Sequence, residues 1–371
     1  MVKIPEFKLE RYFAEYEFTA KYLLSSSDCE SLKLQELLKM ADNKTINLWN
    51  DLRLGYTETM GHPLLKNKIS ELYINSNSDD VLTAVPEEGI FISFYSMLNK
   101  DDEVIVIHPA YQSLYSIPQL IGCNVKFWKF RYNKQWYLDI KELKKILTNK
   151  TKMIIVNFPH NPTGFIPDNN FIDELISLAD KYGIYIFSDE MYRFLEFNRK
   201  FTSLYELYNK SIVLSGLSKS FGLPGLRSGW IITKDKNVLE TIKMMKDLTT
   251  ICSSAPSEIL SIIALDNKEN IVKKNIDIVK NNLNVFKEFI DYISDFFEYY
   301  QPDGSSVGFF KYIGKGTAKN FCNKVLKKLS IMMVYGELFD FYDNFIRIGF
   351  GKKDFSEIMD ILKKNIYSIG L

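Results

Sequence analysis

Short apolar runs rich in β-branched residues recur through the middle of the chain, each five to seven residues long. They occupy residues 103–108, 124–130, 152–158, 184–189, 211–215 and 229–233. Such runs predict buried strands. Segments with apolar positions at helical spacing separate several of them, and these lie at residues 111–121, 139–147 and 170–182. This alternation predicts a mostly parallel sheet covered by helices on both faces. Ligands of such sheets bind at the carboxyl ends of the strands.

The pattern becomes mainly helical after residue 236. Apolar residues at three- and four-residue spacing predict one long helix over residues 270–296. Three later runs are expected to be strands of a second, smaller unit that ends in a helix over residues 355–366. These runs cover residues 309–313, 331–334 and 345–349.

Length and charge narrow the possible classes of protein. A chain of 371 residues suits about two domains. A formal net charge of +1, with both signs mixed along the chain, favours neither a nucleic-acid partner nor a membrane surface. The first residues lack the apolar run of a signal peptide, and no run of about 18 apolar residues predicts a spanning helix. We therefore expect no nucleic-acid partner, no membrane partner and no export signal.

Cysteine and histidine usage argues against metal and disulfide sites. The four cysteines, Cys29, Cys123, Cys252 and Cys322, are far apart and form no CxxC pair. The three histidines are equally scattered. The sequence therefore predicts neither a disulfide framework nor a metal site, and it favours a reduced, cytoplasmic protein.

Three polar motifs stand in order, each directly after a predicted strand. They are NFPHNPTG at residues 157–164, SDEMYR at 188–193 and SGLSKSFGLPGLRSGW at 215–230. Because they follow parallel strands, we expect their side chains to meet at one edge of the sheet. Their order and spacing resemble the signature of the class I/II aminotransferases, which are fold-type-I enzymes that use pyridoxal 5′-phosphate. The resemblance extends over about residues 54–350.

The resemblance implies an α/β fold of the fold-type-I pyridoxal-phosphate transferases. A large domain, with a mostly parallel sheet covered by helices, would comprise residues 45–279. A smaller α+β domain would be formed by both chain ends, residues 1–44 and 280–371. The cofactor implied is pyridoxal 5′-phosphate.

The resemblance also implies roles for four residues around the cofactor ring. Lys219 matches the lysine that holds the cofactor aldehyde as a Schiff base and then acts as general base on the α-proton. Asp189 matches the carboxylate that keeps the ring nitrogen protonated, so that the ring accepts electrons. Tyr192 and Asn161 match the residues that hydrogen-bond the phenolic oxygen. We thus expect Lys219, Asp189 and Tyr192 to be catalytic.

The cofactor phosphate requires donors and positive charge. Arg227, eight residues after Lys219, matches the family's phosphate-binding arginine, and Ser218 is a further candidate. A helix N-terminus near residues 84–90 is expected to contribute backbone donors. Pro86 suits the first turn of a helix but has no N–H to offer, so the donors would be Glu87 and Glu88.

Two tyrosines complete the expected cofactor site. Tyr111 matches the aromatic residue that covers the cofactor ring. Tyr56 resembles the tyrosine that reaches the phosphate of the neighbouring subunit. The resemblance therefore implies a homodimer with shared active sites.

Arg347 lies in the middle of an apolar run, where a cation is costly to bury without a partner. It matches the family's arginine for the substrate α-carboxylate, which it would bind in bidentate fashion. Asn161 would also contact the substrate. An internal salt bridge is the structural alternative. Between Arg227 and Arg347 the chain has no arginine, which argues against a second arginine for a distal carboxylate.

Transamination, from an L-amino acid to a 2-oxo acid, is the reaction that the resemblance favours. The tyrosine-rich opening and Ser25–Ser27 also resemble the branch that contains capreomycidine synthase, so a lyase or cyclase acting through β-elimination stays open. A non-catalytic, cofactor-binding sensor is disfavoured, because every catalytic position is filled and no DNA-binding module precedes them. An unrelated nucleotide-binding enzyme is disfavoured too, because no GxGxxG or GxxxxGK[ST] motif follows a strand.

Overall fold

The computed structural model describes residues 4–369. The α-helices of this part of the chain are α1 (Lys8–Tyr16), α2 (Leu34–Leu38), α3 (Asn43–Asn50), α4 (Pro63–Ser70), α5 (Pro86–Met97), α6 (Ser113–Ile121), α7 (Ile140–Ile146), α8 (Asn169–Tyr182), α9 (Leu204–Leu207), α10 (Lys236–Asp247), α11 (Ala255–Asp266), α12 (Lys268–Tyr292), α13 (Ala318–Leu329) and α14 (Phe355–Asn365). Its strands are β1 (Tyr22–Leu23), β2 (Val81–Ala84), β3 (Glu103–His108), β4 (Asn124–Lys129), β5 (Arg131–Tyr132), β6 (Trp136–Tyr137), β7 (Thr151–Asn157), β8 (Tyr185–Asp189), β9 (Ser211–Gly216), β10 (Gly229–Ile232), β11 (Phe297–Glu298), β12 (Val307–Tyr312), β13 (Ile331–Met332), β14 (Val334–Tyr335) and β15 (Phe345–Gly349).

The large sheet has seven strands in the order β2-β10-β9-β8-β7-β3-β4. Strands β9, β8, β7, β3 and β4 run parallel, and β10 is antiparallel to both of its neighbours. Strands β3 and β9 are buried along their whole length, as expected for strands covered on both faces. The prediction of a mostly parallel sheet is confirmed.

The six predicted strands all exist, and their ends agree with the prediction to within one residue. Local polar residues set the ends of the helices between them. Helix α8 begins after Asp168, whose carboxylate accepts a hydrogen bond from the N–H of Phe171 at 2.8 Å, and it ends at Gly183 with φ of +67°. Helix α6 begins at Ser113, two residues later than predicted. Strand β2 was not predicted.

The smaller sheet has the order β11-β12-β15-β14 and is antiparallel. One predicted strand, residues 331–334, is wrong in part. It divides at Met333: β13 pairs in parallel with β1, and β14 pairs with β15 in the smaller sheet. The partners of the two halves come from opposite ends of the chain, and local periodicity does not report them.

The predicted long helix is α12, which is continuous over 25 residues. The expected domain boundary at 279/280 lies inside it. Residues 1–3 and 370–371 of the expected smaller domain lie outside the described residues. Within residues 4–369, no helix is both long enough and apolar enough to span a bilayer. That same stretch contains no group of three or more histidine, cysteine or acidic residues placed to hold a metal ion.

Candidate active site

A cavity of about 360 Å³ opens where strands β7, β8 and β9 of the large sheet end and helix α5 begins. Nine of the eleven residues proposed from the sequence line it. They are Glu87, Tyr111, Asn161, Asp189, Tyr192, Ser218, Lys219, Arg227 and Arg347. The fold therefore brings together residues from five separate segments of the large unit and one strand of the smaller sheet.

Asn157, the last residue of β7, organises the base of the cavity. It stands beside Asp189 in the parallel pair of β7 and β8. Its Nδ2 donates a hydrogen bond to the Asp189 carbonyl at 2.9 Å, and its Oδ1 accepts one from the N–H of Asn161 at 2.8 Å. This one side chain thus fixes both Asp189 and the start of the following loop. Sequence reasoning gave it no role, although it is the first residue of the NFPHNPTG motif.

The Asp189 carboxyl is buried, and one of its oxygens accepts a hydrogen bond from the N–H of Met191 at 3.1 Å. Burial raises its pKa to about 6, against the opposing effects of the Met191 N–H and of Lys219. A positively charged or N–H-bearing partner in the cavity would stabilise the ionised form of this buried carboxyl.

The Lys219 ammonium lines the cavity, 6.0 Å from the centroid of the Tyr192 ring. It donates a hydrogen bond to Ser27 Oγ at 2.8 Å, across 192 residues of sequence. Gly222 allows this approach: its φ is +67°, and a Cβ there would lie 2.6 Å from the carbonyl oxygen of Glu30. Sequence reasoning missed the role of Ser27, and its only signal was the unusual Ser25–Ser27 run.

A second group of donors lies between α5 and the loop before β10. Ser218 Oγ is buried and has no hydrogen-bond partner within residues 4–369. Arg227 is exposed and donates through Nη1 to the Pro224 carbonyl at 3.0 Å. Helix α5 begins at Pro86, as predicted, so the N–H groups of its first turn have no acceptor within the helix. The Glu87 carboxyl accepts a hydrogen bond from Ser113, and burial raises its pKa.

Two predicted residues lie outside the cavity lining. The Glu88 carboxylate accepts hydrogen bonds from the hydroxyls of Thr249 and Thr250, the latter at 2.7 Å. Tyr56 is 90% exposed and does not line the cavity of its own protomer.

The Arg347 guanidinium is buried, at 1% exposure, in the middle of β15. Its Nη1 donates to Asn161 Oδ1 at 3.2 Å and its Nη2 to the Ser25 carbonyl at 2.9 Å, while Nε has no partner among the described residues. No carboxylate of residues 4–369 forms an ion pair with it. Within these residues, Arg347 therefore does not form the internal salt bridge that was the structural alternative. A buried, uncompensated guanidinium favours an anionic ligand in the cavity.

The N-terminal segment forms one wall of the cavity, which sequence reasoning did not foresee. Its lining residues are Leu9, Glu10, Phe13, Glu17, Ser26, Ser27 and Asp28. The Tyr111 hydroxyl donates to Glu10 Oε1 at 3.0 Å, and the Tyr111 ring packs against Phe7 with centroids 5.1 Å apart. The helical spacing of Glu10, Phe13 and Glu17 was the one sequence feature that could have indicated a shared face.

A sequence model of the family described as aminotransferase class I and II matches residues 19–361. The chain belongs to this family. Its members' cofactor, pyridoxal 5′-phosphate, is therefore the cofactor of this enzyme, and the enzyme is an aminotransferase.

Individual members of the family are similar to the chain over most of their length. An aspartate aminotransferase of Thermotoga maritima is 28% identical over 293 residues, which cover 77% of this chain and 75% of that relative. Capreomycidine synthase of Streptomyces vinaceus is 23% identical over 351 residues, or 94% and 90% of the two chains. The crystal structure of a pyridoxal-phosphate-dependent aminotransferase from Streptococcus suis superposes with a TM-score of 0.92 at 28% identity, covering 100% of this chain and 99% of that one.

The residues of this cavity fit the cofactor. Three buried polar atoms that line it, Tyr192 Oη, Ser218 Oγ and Arg347 Nε, have no partner within residues 4–369, and buried groups of this kind are normally satisfied. The first two can donate to cofactor oxygens. The raised pKa of Asp189 suits a protonated ring nitrogen, which would stabilise the carboxylate form.

Proposed function

We propose that the enzyme transfers the amino group of an L-amino acid to a 2-oxo acid, with Lys219 as the residue that bonds to the cofactor aldehyde. The observation that carries this proposal is the position of Arg347. It supplies a buried guanidinium without an ion pair, and it shares one cavity with the Lys219 ammonium. An α-amino acid fits this arrangement: its carboxylate binds the Arg347 guanidinium, and its α-carbon then lies near the Lys219 amine.

The cofactor, when bound, withdraws electrons from the substrate α-carbon and so makes the α-proton more acidic. When it is not bonded to the aldehyde carbon, Lys219 Nζ would accept the α-proton of the substrate and donate it again at a later stage of the reaction. Ser27 Oγ orients Nζ through their 2.8 Å hydrogen bond. Asp189 keeps a proton on the ring nitrogen, and Tyr192 and Asn161 hold the phenolic oxygen.

The substrate carboxylate binds at Arg347, with Nε as one of the donors, and Asn161 positions the guanidinium from the side of the large sheet. Arg227, Ser218 and the first-turn N–H groups of α5, at Glu87 and Glu88, hold the phosphate. Tyr111 covers the ring, with its hydroxyl held by Glu10.

We further propose a homodimer in which Tyr56 reaches the cofactor phosphate of the partner subunit. Two neighbouring loops expose large apolar side chains: Leu54 is 86%, Tyr56 90% and Leu248 80% exposed. A hydrogen bond from Thr57 Oγ1 to the Ser253 carbonyl, 3.1 Å long, joins the loops. Exposed apolar side chains concentrated in this way favour contact with another protein surface.

The smaller domain of residues 1–44 and 280–371 is proposed to move relative to residues 45–279 when substrate binds. The unpaired state of all four cysteines supports placing the enzyme in the cytoplasm.

Absorbance spectroscopy tests the function directly. The purified enzyme with its cofactor should show an absorbance band near the visible edge that bleaches when particular L-amino acids are added, and 2-oxo acid should form. Lys219→Ala should lose this band, whereas Lys315→Ala, which changes an exposed lysine outside the cavity, should keep it. An unchanged spectrum in Lys219→Ala would remove that lysine from the mechanism.

The similarity to capreomycidine synthase over 94% of the chain favours a second candidate, β-elimination with or without cyclisation. The two reactions differ in their need for an acceptor. Transamination stops after one turnover when no 2-oxo acid is supplied, whereas elimination continues. Multiple turnovers of an amino acid without any acceptor would therefore assign the enzyme to the lyase or cyclase class.

A further inference from the structure

One face of helix α1 enters the cavity. Glu10, Phe13 and Glu17 are spaced by three and four residues, which places them on the same side, and all three line the cavity. Tyr12, on a different side of the helix, donates a hydrogen bond through its hydroxyl to the carbonyl of Met333 at 3.1 Å. The helix is thereby held on the smaller unit with two carboxylates directed at the cavity.

Most charged groups of the cavity have a partner or a role in the proposed function. Asp28 pairs with Lys352 at 2.8 Å, and Glu87 accepts a hydrogen bond from Ser113. Asp189 and the three cations of the lining, Lys219, Arg227 and Arg347, serve the cofactor and the α-carboxylate.

Glu10 and Glu17 are the exceptions. The Glu10 carboxylate accepts a hydrogen bond only from the neutral hydroxyl of Tyr111, and the Glu17 carboxylate has no hydrogen bond or ion pair within residues 4–369, although the Glu17 N–H bonds to the Phe13 carbonyl. Burial, followed by Asp28 and Glu10, raises the pKa of Glu17 against the opposing effects of Lys219 and Lys352. Grouping carboxylates in a half-buried place is unfavourable unless a cation joins them.

The position of Arg347 indicates which part of a ligand would meet Glu10 and Glu17. Its unpartnered Nε, in a side chain that is 1% exposed, fixes where an α-carboxylate binds. The reacting carbon of the same ligand must lie next to Lys219, and the electrostatic influence of Lys219 reaches Glu17. A side chain extending from that carbon toward α1 therefore meets carboxylates.

We propose that the amino donor is an L-amino acid with a cationic side chain, such as a primary amine or a guanidine, whose distal charge is bound by Glu10 and Glu17. This substrate class rests on the proposed function. A distal carboxylate would be repelled by the same two residues, and the lining contains no cation besides Lys219, Arg227 and Arg347 to bind it.

The test compares donors that differ in the distal charge. L-lysine and L-norleucine share a carbon chain, and L-glutamate supplies the opposite charge. We expect the kcat/KM of L-lysine to exceed that of L-norleucine by about tenfold or more, and to fall as salt is added. L-glutamate should be the poorest of the three.

Variants on α1 identify the residues responsible. Glu17→Gln should lower kcat/KM for L-lysine about tenfold and change that for L-norleucine less than about twofold. Glu10→Gln, which keeps an acceptor for Tyr111, should act in the same direction. Glu15→Gln is the matched control, because Glu15 is exposed on the opposite side of the same helix. Dissociation constants of α-methyl-lysine and α-methyl-norleucine, which lack the α-proton, should change in parallel when followed by cofactor absorbance.

The outcomes separate the two proposals. If 2-oxo acid forms from L-glutamate or L-norleucine at least as efficiently as from L-lysine, the substrate class is wrong and the proposed function stands. An equal loss for both donors in Glu17→Gln would likewise overturn the role of α1. If no donor alters the absorbance band or yields 2-oxo acid, the proposed function fails and the substrate class fails with it.

Discussion

Arg347 Nη1 donates a hydrogen bond to Asn161 Oδ1 at 3.2 Å, although 186 residues separate the two in the chain. Arg347 lies on a strand of the smaller sheet, and Asn161 lies in the loop that follows β7 of the large sheet. Both side chains are buried. The site proposed for the substrate carboxylate is therefore assembled only where the two sheets meet.

Replacing Arg347 with lysine is expected to weaken substrate binding. The ammonium keeps the positive charge, but it cannot reproduce the fork of donors that meets Asn161, Ser25 and a carboxylate together. We expect KM for the amino donor to rise on the order of a hundredfold. The dissociation constant of the cofactor should change less than about threefold. Steady-state kinetics and cofactor titration measure the two effects, and equal losses in both would contradict the assignment. Arg11→Lys, at an exposed position, is the control.

The Asp189 carboxyl should make the cofactor-free protein less stable as pH rises. Its pKa is raised from 3.8 to about 6 in the folded state, so the folded protein holds this proton more tightly than the unfolded chain does. Its favourable contribution is complete below about pH 4 and is lost by about pH 6 to 7. Relative to Asp189→Asn, the wild type should lose about 3 kcal/mol of unfolding free energy across that window. Urea unfolding of both proteins at several pH values measures the difference. A difference that does not vary with pH would contradict the prediction.

His160 should stabilise the loop beneath the cavity as a neutral side chain. Its ring nitrogens lie 2.7 Å from Thr163 Oγ1 and 2.9 Å from the Pro109 carbonyl, and its ring stacks on Phe130 at 4.2 Å. His160→Leu removes the hydrogen bond to the Pro109 carbonyl and leaves the Thr163 hydroxyl with only the Phe165 N–H as partner, so the unfolding free energy should fall by about 1–3 kcal/mol at pH 7. His62→Leu, which loses a helix cap, should cost about 1 kcal/mol.

The contribution of His160 should also depend on pH. Burial lowers its pKa from 6.5 to about 3, so the unfolded chain takes up a proton that the folded protein excludes. Its stabilising effect is complete above pH 6.5 and diminishes as pH falls toward 3. The stability gap between wild type and His160→Leu should therefore narrow on acidification in urea titrations. A gap that widens would mean that the folded state protonates the ring.

Tyr56 should act on the active site of the other subunit. Tyr56→Ala is expected to weaken cofactor binding, since the proposed phosphate contact is lost, while light scattering still gives the mass of a dimer. Mixing this variant with inactive Lys219→Ala should restore activity, because each mixed dimer has one site with both native residues. No recovery on mixing would show that Tyr56 serves its own protomer or none.

Much of the large unit follows from local sequence. Runs such as residues 104–107 are apolar at every position because both faces of the sheet are covered, and this pattern can be recognised from the sequence alone. Asp189 ends one such run and Lys219 lies shortly after the next, so their meeting at one edge of the sheet is a consequence of parallel strands. Pro86 likewise predicted the first residue of α5, because its fixed φ suits that position.

Other features depend on contacts between distant segments. The hydrogen bond between Lys219 and Ser27, the direction of Glu10 and Glu17, and the division of residues 331–334 at Met333 all require the N-terminal segment to be docked. Periodicity reports whether a position is buried but not which segment covers it. The amino-acid sequence by itself thus determined the family, the parallel sheet and the residues at its edge. Only the tertiary structure decided which residues face the substrate, because burial and charge there are set by chain segments more than 150 residues apart.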